Sequence, residues 1–227
     1  MSPYMREIVC LANSTKKGGR CIAGKDTKTG EWIRPVGDRE SAAVLPEEYT
    51  YKEGGVCQPL DIVKIPFLRA DPRQHQTENH VIAPGYWTKA GELKWRELIA
   101  FLDEPKSLWL NVSHTQPGSN DCIPKNQAAT LSDSLLLIEP EDFTVHVGVE
   151  RPGSPYAKRG VRGEFKYRRT YYSLRITDPE IDTIFRRKGD GDYQLKNVYV
   201  CISLTEPFDD NRCHKLVAAI FSKQPLG

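Results

Sequence analysis

Glycine and proline interrupt this 227-residue sequence along its whole length, with 17 glycines and 16 prolines in total. Both residues favour turns and end regular elements, so they divide the chain into many short segments. Short apolar runs separated by frequent turns are typical of an all-β fold rather than of a helix bundle. Ten runs have the composition of strands, at residues 6–12, 20–24, 31–35, 60–66, 134–138, 143–149, 164–168, 170–176, 198–204 and 214–221.

Two short helices are predicted between these strands. Residues 91–102 carry leucine and phenylalanine at helical spacing. Residues 177–180 form a helix start, with a capping side chain and a proline in the first turn, and Gly189 ends this second helix. An acidic, proline-containing segment at residues 139–142 separates two sets of five strands.

Five strands with a helix after the third strand describe an OB-fold, a small and partly open barrel. The second set of strands follows this plan, whereas in the first set the helix comes after the fourth strand. We therefore expect a mainly β fold of two five-stranded OB-like barrels with one short helix each, at residues 1–140 and 141–227.

The sequence lacks the features of a membrane or secreted protein. Its apolar runs, such as residues 135–138, are far shorter than the roughly 20 residues that span a bilayer, and residues 1–13 do not resemble a signal peptide. None of the six cysteines forms a C-x-x-C pair and the five histidines are scattered, so neither a zinc site nor a catalytic triad is indicated. We expect a cytoplasmic protein with no membrane association, no metal and no cofactor.

Positive charge is concentrated between residues 151 and 175, although the net charge of the chain is only +2. This segment holds eight Lys or Arg residues and one acid, Glu164, with aromatic residues interleaved. Cations neutralise phosphates and aromatic faces stack on unpaired bases, so the mixture suits a single nucleic-acid strand. A solvated hairpin whose aromatic side chains alternate into the core is the alternative. The predicted binding residues are Lys158, Arg159, Arg162, Lys166, Arg168, Arg169, Tyr171 and Tyr172.

Two smaller candidate sites lie in the first half. Lys16, Lys17 and Arg20 flank a glycine pair, whose backbone can form an anion-binding nest; the alternative is a flexible hairpin loop. The segment lacks the G-K-[ST] ending of a P-loop, so nucleotide hydrolysis is not indicated. Arg34 shares a strand face with Trp32, and the pair could contact phosphate and base, or Trp32 could belong to the core.

Four segments resemble the bacterial dual OB-containing domain family: residues 20–24 (RCIAG), 31–36 (EWIRPV), 204–208 (LTEPF) and 215–219 (KLVAA). The similarity extends from about residue 6 to residue 221. It implies the two-OB fold, presumed nucleic-acid binding, and an association with prokaryotic conflict and defence neighbourhoods, with a possible protein partner in a defence operon. The family brings no catalytic residues to this chain.

The sequence therefore predicts a non-catalytic protein that binds nucleic acid, either single-stranded or distorted DNA or RNA. One alternative is a metal-dependent nuclease or phosphodiesterase, because Glu164 and Lys166, with Asp142 upstream, could hold Mg²⁺ and polarise a phosphate. The other alternative is a protein-interaction module that binds no nucleic acid, since OB barrels also serve as assembly platforms. Fold resemblance alone does not decide among the three functions.

Overall fold

A computed structural model describes residues 3–226, and the protein is mainly β. By their internal contacts these residues form two compact units. The first comprises the residues up to Phe101 together with Ser132–Ser134, and the second comprises Leu102–Leu131 and the residues from Leu135 onwards. Residues 102–131 precede the boundary that we expect at residue 140, and they belong to the second unit.

Six strands and one 3-10 helix form the first unit. Strand β1 is antiparallel to β2 and to β4, and β2 is antiparallel to β3. Strand β3 is parallel to β5, which is antiparallel to β4, so the order β1-β2-β3-β5-β4-β1 closes a five-stranded barrel of the OB type. The elements are β1 (Tyr4–Lys16), β2 (Gly19–Asp26), β3 (Trp32–Val36), β4 (Asp61–Ala70), β5 (Asn79–Ile82), β6 (Thr88–Glu92), which pairs with β4, and the 3-10 helix Trp95–Phe101.

Strand β1 pairs with β4 through residues 4–9 and with β2 through residues 8–16, and a β-bulge between Cys10 and Ala12 bends it. Strands β1 and β2 pack so closely that a Cβ atom on Gly24 would lie 2.1 Å from the Val9 carbonyl oxygen. Only glycine therefore fits at this position. Apolar side chains fill the barrel, among them Ile8, Ile22, Ile33, Val63, Ile65, Phe67 and Trp87.

Eight strands and two helices form the second unit. Strands β9, β10 and β11 are an antiparallel meander, β11 is parallel to β14, and β14 is antiparallel to β13. Strand β8 pairs with β13, and β7 pairs with β14. The elements are β7 (Cys122–Pro124), α1 (Lys125–Ala128), β8 (Leu135–Ile138), β9 (Asp142–Glu150), β10 (Lys158–Tyr167), β11 (Thr170–Ile176), α2 (Pro179–Lys188), β12 (Gly191–Leu195), β13 (Val198–Leu204) and β14 (Arg212–Ser222).

The fourth strand of the second barrel is divided into β12 and β13. Strand β12 pairs with β9, whereas β13 pairs with β14. Asn197, which lies between the two strands, has a φ of 52°, so the chain bends sharply there. The ring β9-β10-β11-β14-β13 closes back to β9 through this bend and through β12, which again gives the five-stranded OB architecture.

Helix α2 follows the third strand of this barrel, as the sequence predicts. The Asp178 carboxylate caps the helix by accepting hydrogen bonds from the backbone N–H groups of Glu180 at 2.9 Å and Ile181 at 3.1 Å. Ile181 and Phe185 are buried and belong to the barrel core. Gly189, with a φ of 100°, follows the last helical residue.

The expectation of a mainly β protein built from OB-like barrels is confirmed. The first helical element is a 3-10 helix that is shorter than predicted, because residues 91–92 pair with β4 instead. The sequence does not predict strands β5, β6, β7 and β12. These strands are short, and β6 (TKAGE) contains no large apolar residue. Its extended conformation is therefore stabilised by hydrogen bonds to β4 and not by an alternating apolar sequence.

All six cysteines are free thiols, and Cys21 is the only one of them that is not fully buried. Helix α2, with ten residues, is the longest helix in the described part of the chain. Within residues 3–226, no helix has both the length and the hydrophobicity that crossing a membrane requires.

Candidate nucleic-acid interface

The β10–β11 hairpin has a buried face and an exposed face. Phe165 and Tyr172 are fully buried in the barrel core, with ring centroids 5.4 Å apart. Tyr167 also belongs to this core. Tyr171 lies on the outer face and is 43% exposed. Phe165, Tyr167 and Tyr172 therefore point into the core, as the alternative interpretation of this hairpin expects. Tyr171 is the aromatic residue of this hairpin whose ring is available for stacking.

The turn between β10 and β11, which we call the hairpin tip, is formed by Arg168 and Arg169. Both residues have positive φ angles, 46° and 68°, in a two-residue turn that favours Asn and Gly. Both side chains are exposed, as is that of Lys166, and the Arg168 guanidinium lies 5.7 Å from the centre of the Tyr167 ring. Arg168 and Arg169 thus occupy positions where unstrained turns use smaller residues. Together with Lys166, which we include in the hairpin tip, they present three cations to solvent.

At the opposite end of the hairpin, the second unit has a cleft of about 170 Å³. The β9–β10 loop (residues 151–157), the β13–β14 loop (residues 205–211) and residues 115–121 all contribute to its lining, together with Arg162 of β10 and Arg175 of β11. OB-folds bind ligands on the face of their second and third strands and on the loops between strands 1 and 2 and strands 4 and 5. The cleft lies where these elements meet in this barrel.

Arg162 is held in the cleft by two carboxylates. Its Nη2 donates to Asp121 Oδ2 at 3.1 Å and its Nη1 donates to Glu150 Oε1 at 3.0 Å. Its Nε donates to Ser173 Oγ at 3.0 Å. The charged side chains of this ion triad are at most 8% exposed. Arg162 therefore has a complete set of protein partners, and its charge is balanced within the unit.

Three other cations line the cleft without a protein partner. The side chains of Arg151, Lys158 and Arg175 form no ion pair or hydrogen bond with any residue between positions 3 and 226. Arg159, by contrast, donates from Nε to Asp190 Oδ1 at 2.6 Å. Uncompensated positive charge in a concave site attracts anions, so the cleft is suited to bind a phosphate or a carboxylate.

Each of the two loops at the cleft carries an exposed aromatic side chain. Phe208 in the β13–β14 loop is 56% exposed, and Tyr156 in the β9–β10 loop is 72% exposed. The Phe208 ring is supported by the His214 ring, with centroids 5.1 Å apart. His214 is in turn paired with Asp210 at 3.1 Å. Phe208 is therefore a supported apolar face beside the cleft, of the kind on which a nucleic-acid base stacks.

Residues 108–124, which we call the strap, run over the outside of the second barrel. Tyr172 Oη accepts hydrogen bonds from Leu108 N at 3.3 Å and from Asn111 Nδ2 at 2.9 Å. The buried ammonium of Lys215 donates to Leu110 O at 2.8 Å and to Asn111 Oδ1 at 2.9 Å. Burial lowers the pKa of Lys215 to about 7. The strap is thus fixed to the barrel by polar groups that have little access to water.

Two of the predicted candidates at the β1–β2 hairpin, Lys16 and Arg20, lie on regular strands, and Lys17 lies in the two-residue turn between these strands. Strand β1 continues to Lys16 and β2 begins at Gly19, with Gly18 in the turn at a φ of 84°. Lys17 is exposed, whereas Lys16 and Arg20 are half-buried. A positive φ in so short a turn is the reason that glycine is needed there.

Arg34 is a buried residue of the first unit. Its Nη2 donates to Glu78 Oε1 at 2.8 Å and to Ser134 Oγ at 2.7 Å, and its side chain is 3% exposed. Trp32 is half-buried, with the Lys25 ammonium 5.2 Å from the ring centre. Because its charge is balanced by Glu78, Arg34 has the geometry of a buried structural ion pair.

The residues of the nuclease alternative lie on one face of the sheet. Glu164 and Lys166 are two apart on β10, and Lys166 is opposite Asp142 on β9. Glu164 accepts a hydrogen bond from Ser173 Oγ at 3.3 Å. Burial, and then a hydrogen bond with Glu164, raise the pKa of Tyr171 to about 12. Among residues 3–226, no three His, Cys, Asp or Glu side chains are grouped so that they could hold a metal ion.

The cleft is also lined by residues that are not among the predicted binding residues, including Arg151, Arg175, Asp121 and Phe208. The two arginines belong to the basic segment, so their charge is a signal that the sequence provides. Asp121 and Phe208 come from distant parts of the chain, and the pairing of β14 with β7 and with β11 brings them to the hairpin. No local pattern indicates this arrangement.

Comparison with known proteins supports the architecture of both units. A family profile described as dual OB-containing domain matches residues 6–220. No curated protein matches the chain. OB-containing domains bind nucleic acid or other oligomers, so a binding function of this general kind is indicated. The chain belongs to the dual OB-containing domain family.

Proposed function

We propose that the protein binds single-stranded nucleic acid on the second unit, at the hairpin tip and at the cleft, without catalysing a reaction on it. The observation that carries this proposal is the cleft itself, where Arg151, Lys158 and Arg175 have no acidic partner. Three uncompensated cations beside an exposed aromatic ring are the combination that a phosphate-sugar backbone with unpaired bases requires.

The length of the hairpin is compatible with such a strand. The ten residues of β10 extend over about 33 Å, at about 3.3 Å per residue. Cations stand at both ends, with Lys166 at the hairpin tip and Lys158 at the cleft. OB-folds occupy about 4–16 nucleotides of a single strand, so one OB-fold ligand can contact both groups of cations at once.

The residues of the proposed interface are not the same as the binding residues predicted from the sequence. Lys158, Lys166, Arg168, Arg169 and Tyr171 are exposed and stay in the proposal, and Arg151, Arg175 and Phe208 are added to it. Arg159 is paired with Asp190 and contributes little free charge. Arg34, Arg162 and Tyr172 are buried and are not part of the surface that we propose, and Lys16, Lys17 and Arg20 belong to the other unit.

Neutralising the cleft should weaken binding and reduce its dependence on salt. For the double variant Lys158→Ala with Arg175→Ala, we expect affinity for a labelled single strand of about 12 nucleotides to fall at least tenfold. The slope of log affinity against log salt should decrease by about 0.7 for each lost phosphate contact. Fluorescence anisotropy over a salt titration measures both quantities.

Lys196→Ala is the matched control, because Lys196 is exposed on the same unit at the bend between β12 and β13. It should leave both affinity and salt slope as they are in the parent. If the double variant binds as tightly as the parent while its melting temperature is unchanged, the cleft is not the site. If the parent does not bind the labelled strand even at low salt, the protein-interaction alternative is favoured instead.

Tyr171 tests the stacking contribution separately from charge. If its ring stacks on a base, Tyr171→Ala should cost about 1–3 kcal/mol of binding free energy and leave the salt slope unchanged. Tyr86→Ala is the control, because Tyr86 is also exposed but belongs to the first unit. Equal effects of the two variants on affinity would remove Tyr171 from the interface.

The same binding reactions test the nuclease alternative. After incubation with Mg²⁺ and with Mn²⁺, labelled DNA and RNA should be recovered intact on a denaturing gel. Cleavage that is lost on Glu164→Gln would contradict a non-catalytic function. A role in prokaryotic defence, and a protein partner from a defence operon, stay predictions of the family resemblance.

A further inference from the structure

The strap closes one side of the cleft. Ser119 pairs with Ser173 of β11, with N–H to O distances of 3.3 and 3.1 Å in the two directions, and the strap ends in β7, which pairs with β14. Asp121 is fixed inside the strap, because its carboxylate accepts from Thr115 N at 2.7 Å and from Thr115 Oγ1 at 2.6 Å. The cleft therefore has a wall that is hydrogen-bonded to the barrel and to itself.

This wall stands at the end of the hairpin face. The strap covers the outer face of β10 and β11 at Arg162 and Ser173, each 4% exposed, so Lys158 and Arg175 are separated from the hairpin tip. A groove that conducts a strand onward would be open at this point. The cleft is bounded by three segments of chain and open to solvent, so a strand can enter it from solvent but does not continue from it along the hairpin face.

The net charge of the cleft also favours the end of a strand over an internal phosphate. The Arg162 triad contains one cation and two carboxylates, so it contributes one net negative charge, against three positive charges from Arg151, Lys158 and Arg175. Two further lining groups are bound by the protein: Lys215 donates to Leu110 O and Asn111 Oδ1, and His214 is paired with Asp210. The balance of about two positive charges is matched by a phosphate monoester, which carries about −1.5 to −2 at pH 7. A phosphodiester inside a strand carries only one negative charge.

The size of the cleft is also suited to a single phosphate group. Its volume of about 170 Å³ is well above the roughly 10–15 Å³ that one water molecule requires on the same measure. This is room for the five heavy atoms of a phosphate and for part of a sugar. Guanidinium groups such as those of Arg151 and Arg175 recognise phosphate oxygens by paired hydrogen bonds.

We propose that the cleft is a binding site for a terminal phosphate monoester, the group that ends a phosphorylated nucleic-acid strand and that is also present on a free mononucleotide. The proposal rests on the proposed function, since the cleft is part of the surface that we propose to bind the strand. It adds a preference for strand ends that an ordinary OB-fold contact with internal phosphates does not have.

The test compares one oligonucleotide sequence in three forms, with a 5′-phosphate, with a 3′-phosphate, and with hydroxyl groups at both ends. In fluorescence anisotropy with an internal label, one phosphorylated form should bind at least about tenfold more tightly than the hydroxyl form, as expected for added hydrogen bonds to a charged group. Arg175→Ala should abolish this preference. Arg168→Ala at the hairpin tip should weaken all three forms equally and leave the preference unchanged.

The outcomes separate this inference from the proposed function. Equal binding of the three forms overturns the terminal-phosphate site while single-strand binding stands. Failure of all three forms to bind contradicts the proposed function itself. A nucleoside monophosphate serves as the competitor that distinguishes the two sources of the group: a strand end is the ligand if the phosphorylated oligonucleotide binds more tightly than the mononucleotide, and a free mononucleotide is the ligand if it does not. A preference that persists in Arg175→Ala, with that variant correctly folded by circular dichroism, also overturns the assignment.

Discussion

Replacing Arg162 with methionine is expected to lower the free energy of unfolding by about 3–5 kcal/mol. The substitution removes the guanidinium but leaves the carboxylates of Asp121 and Glu150, which are 6% and 8% exposed. Two buried carboxylates without a cation repel each other and have lost their solvation. The loss of stability therefore comes from the two unpaired buried carboxylates rather than from the loss of one attractive contact.

Urea unfolding of the purified variant measures this change. Arg159→Met is the control for an exposed pair, because Arg159 and Asp190 are 37% and 59% exposed, and it should cost no more than about 1 kcal/mol. Adding Asp121→Asn and Glu150→Gln to Arg162→Met should restore much of the lost stability, since no buried charge is then unpaired. An unfolding midpoint for Arg162→Met equal to that of the parent would show that the triad is not buried as described.

The contribution of Lys215 to stability should increase as the pH is raised from about 7 towards 10.5, and Lys215→Met should lose this contribution. The folded protein holds the pKa of Lys215 at about 7, against 10.5 for an ordinary lysine. Between these values the unfolded chain binds a proton that the folded protein does not, so stability rises with pH by up to about 1.4 kcal/mol per unit. Below about pH 7 this dependence on pH disappears, because both states are protonated.

The groups around Lys215 come from several elements: Tyr172 of β11, Asn111 and Asp121 of the strap, and Cys122 of β7. Other side chains also titrate above pH 7, so the informative quantity is the difference between variant and parent. Urea unfolding at several pH values between about 7 and 9 provides it. For Lys166→Met, a substitution of a solvent-exposed lysine, the profile of unfolding free energy against pH should be parallel to that of the parent. A parallel profile for Lys215→Met as well would contradict the expected titration.

The strands and the helix of the barrels are predictable from sequence where the pattern that indicates them lies within a few consecutive residues. Alternating residues 143–149 and 170–176 lie on strands β9 and β11, because one face of each strand is buried and side chains alternate between faces. Tyr171 and Tyr172 are adjacent, and they lie on opposite faces as this alternation requires. The start of α2 is predictable for the same reason, since a capping aspartate and a proline lie within four consecutive residues.

The cleft is not predictable in this way, because its residues meet through pairings between distant parts of the chain. Strand β11 is parallel to β14, with Arg175 opposite Leu216, and residues far upstream of the barrel supply Asp121. A concentration of charge in the sequence finds the basic segment but does not separate cations with partners from those without. Arg162 and Arg175 are opposite each other on β10 and β11, yet Arg162 has two carboxylate partners and Arg175 has none in the described chain.

The strap has a practical consequence for work with the second unit in isolation. Strands β11 and β14 are paired at only two positions, and Ser119 and β7 satisfy backbone groups of these strands where they separate. A fragment that began at residue 135 would leave those N–H and C=O groups exposed as a free sheet edge, which invites pairing with another molecule and aggregation. Recombinant production of this unit as a soluble fragment therefore requires residues 102–131 to be included.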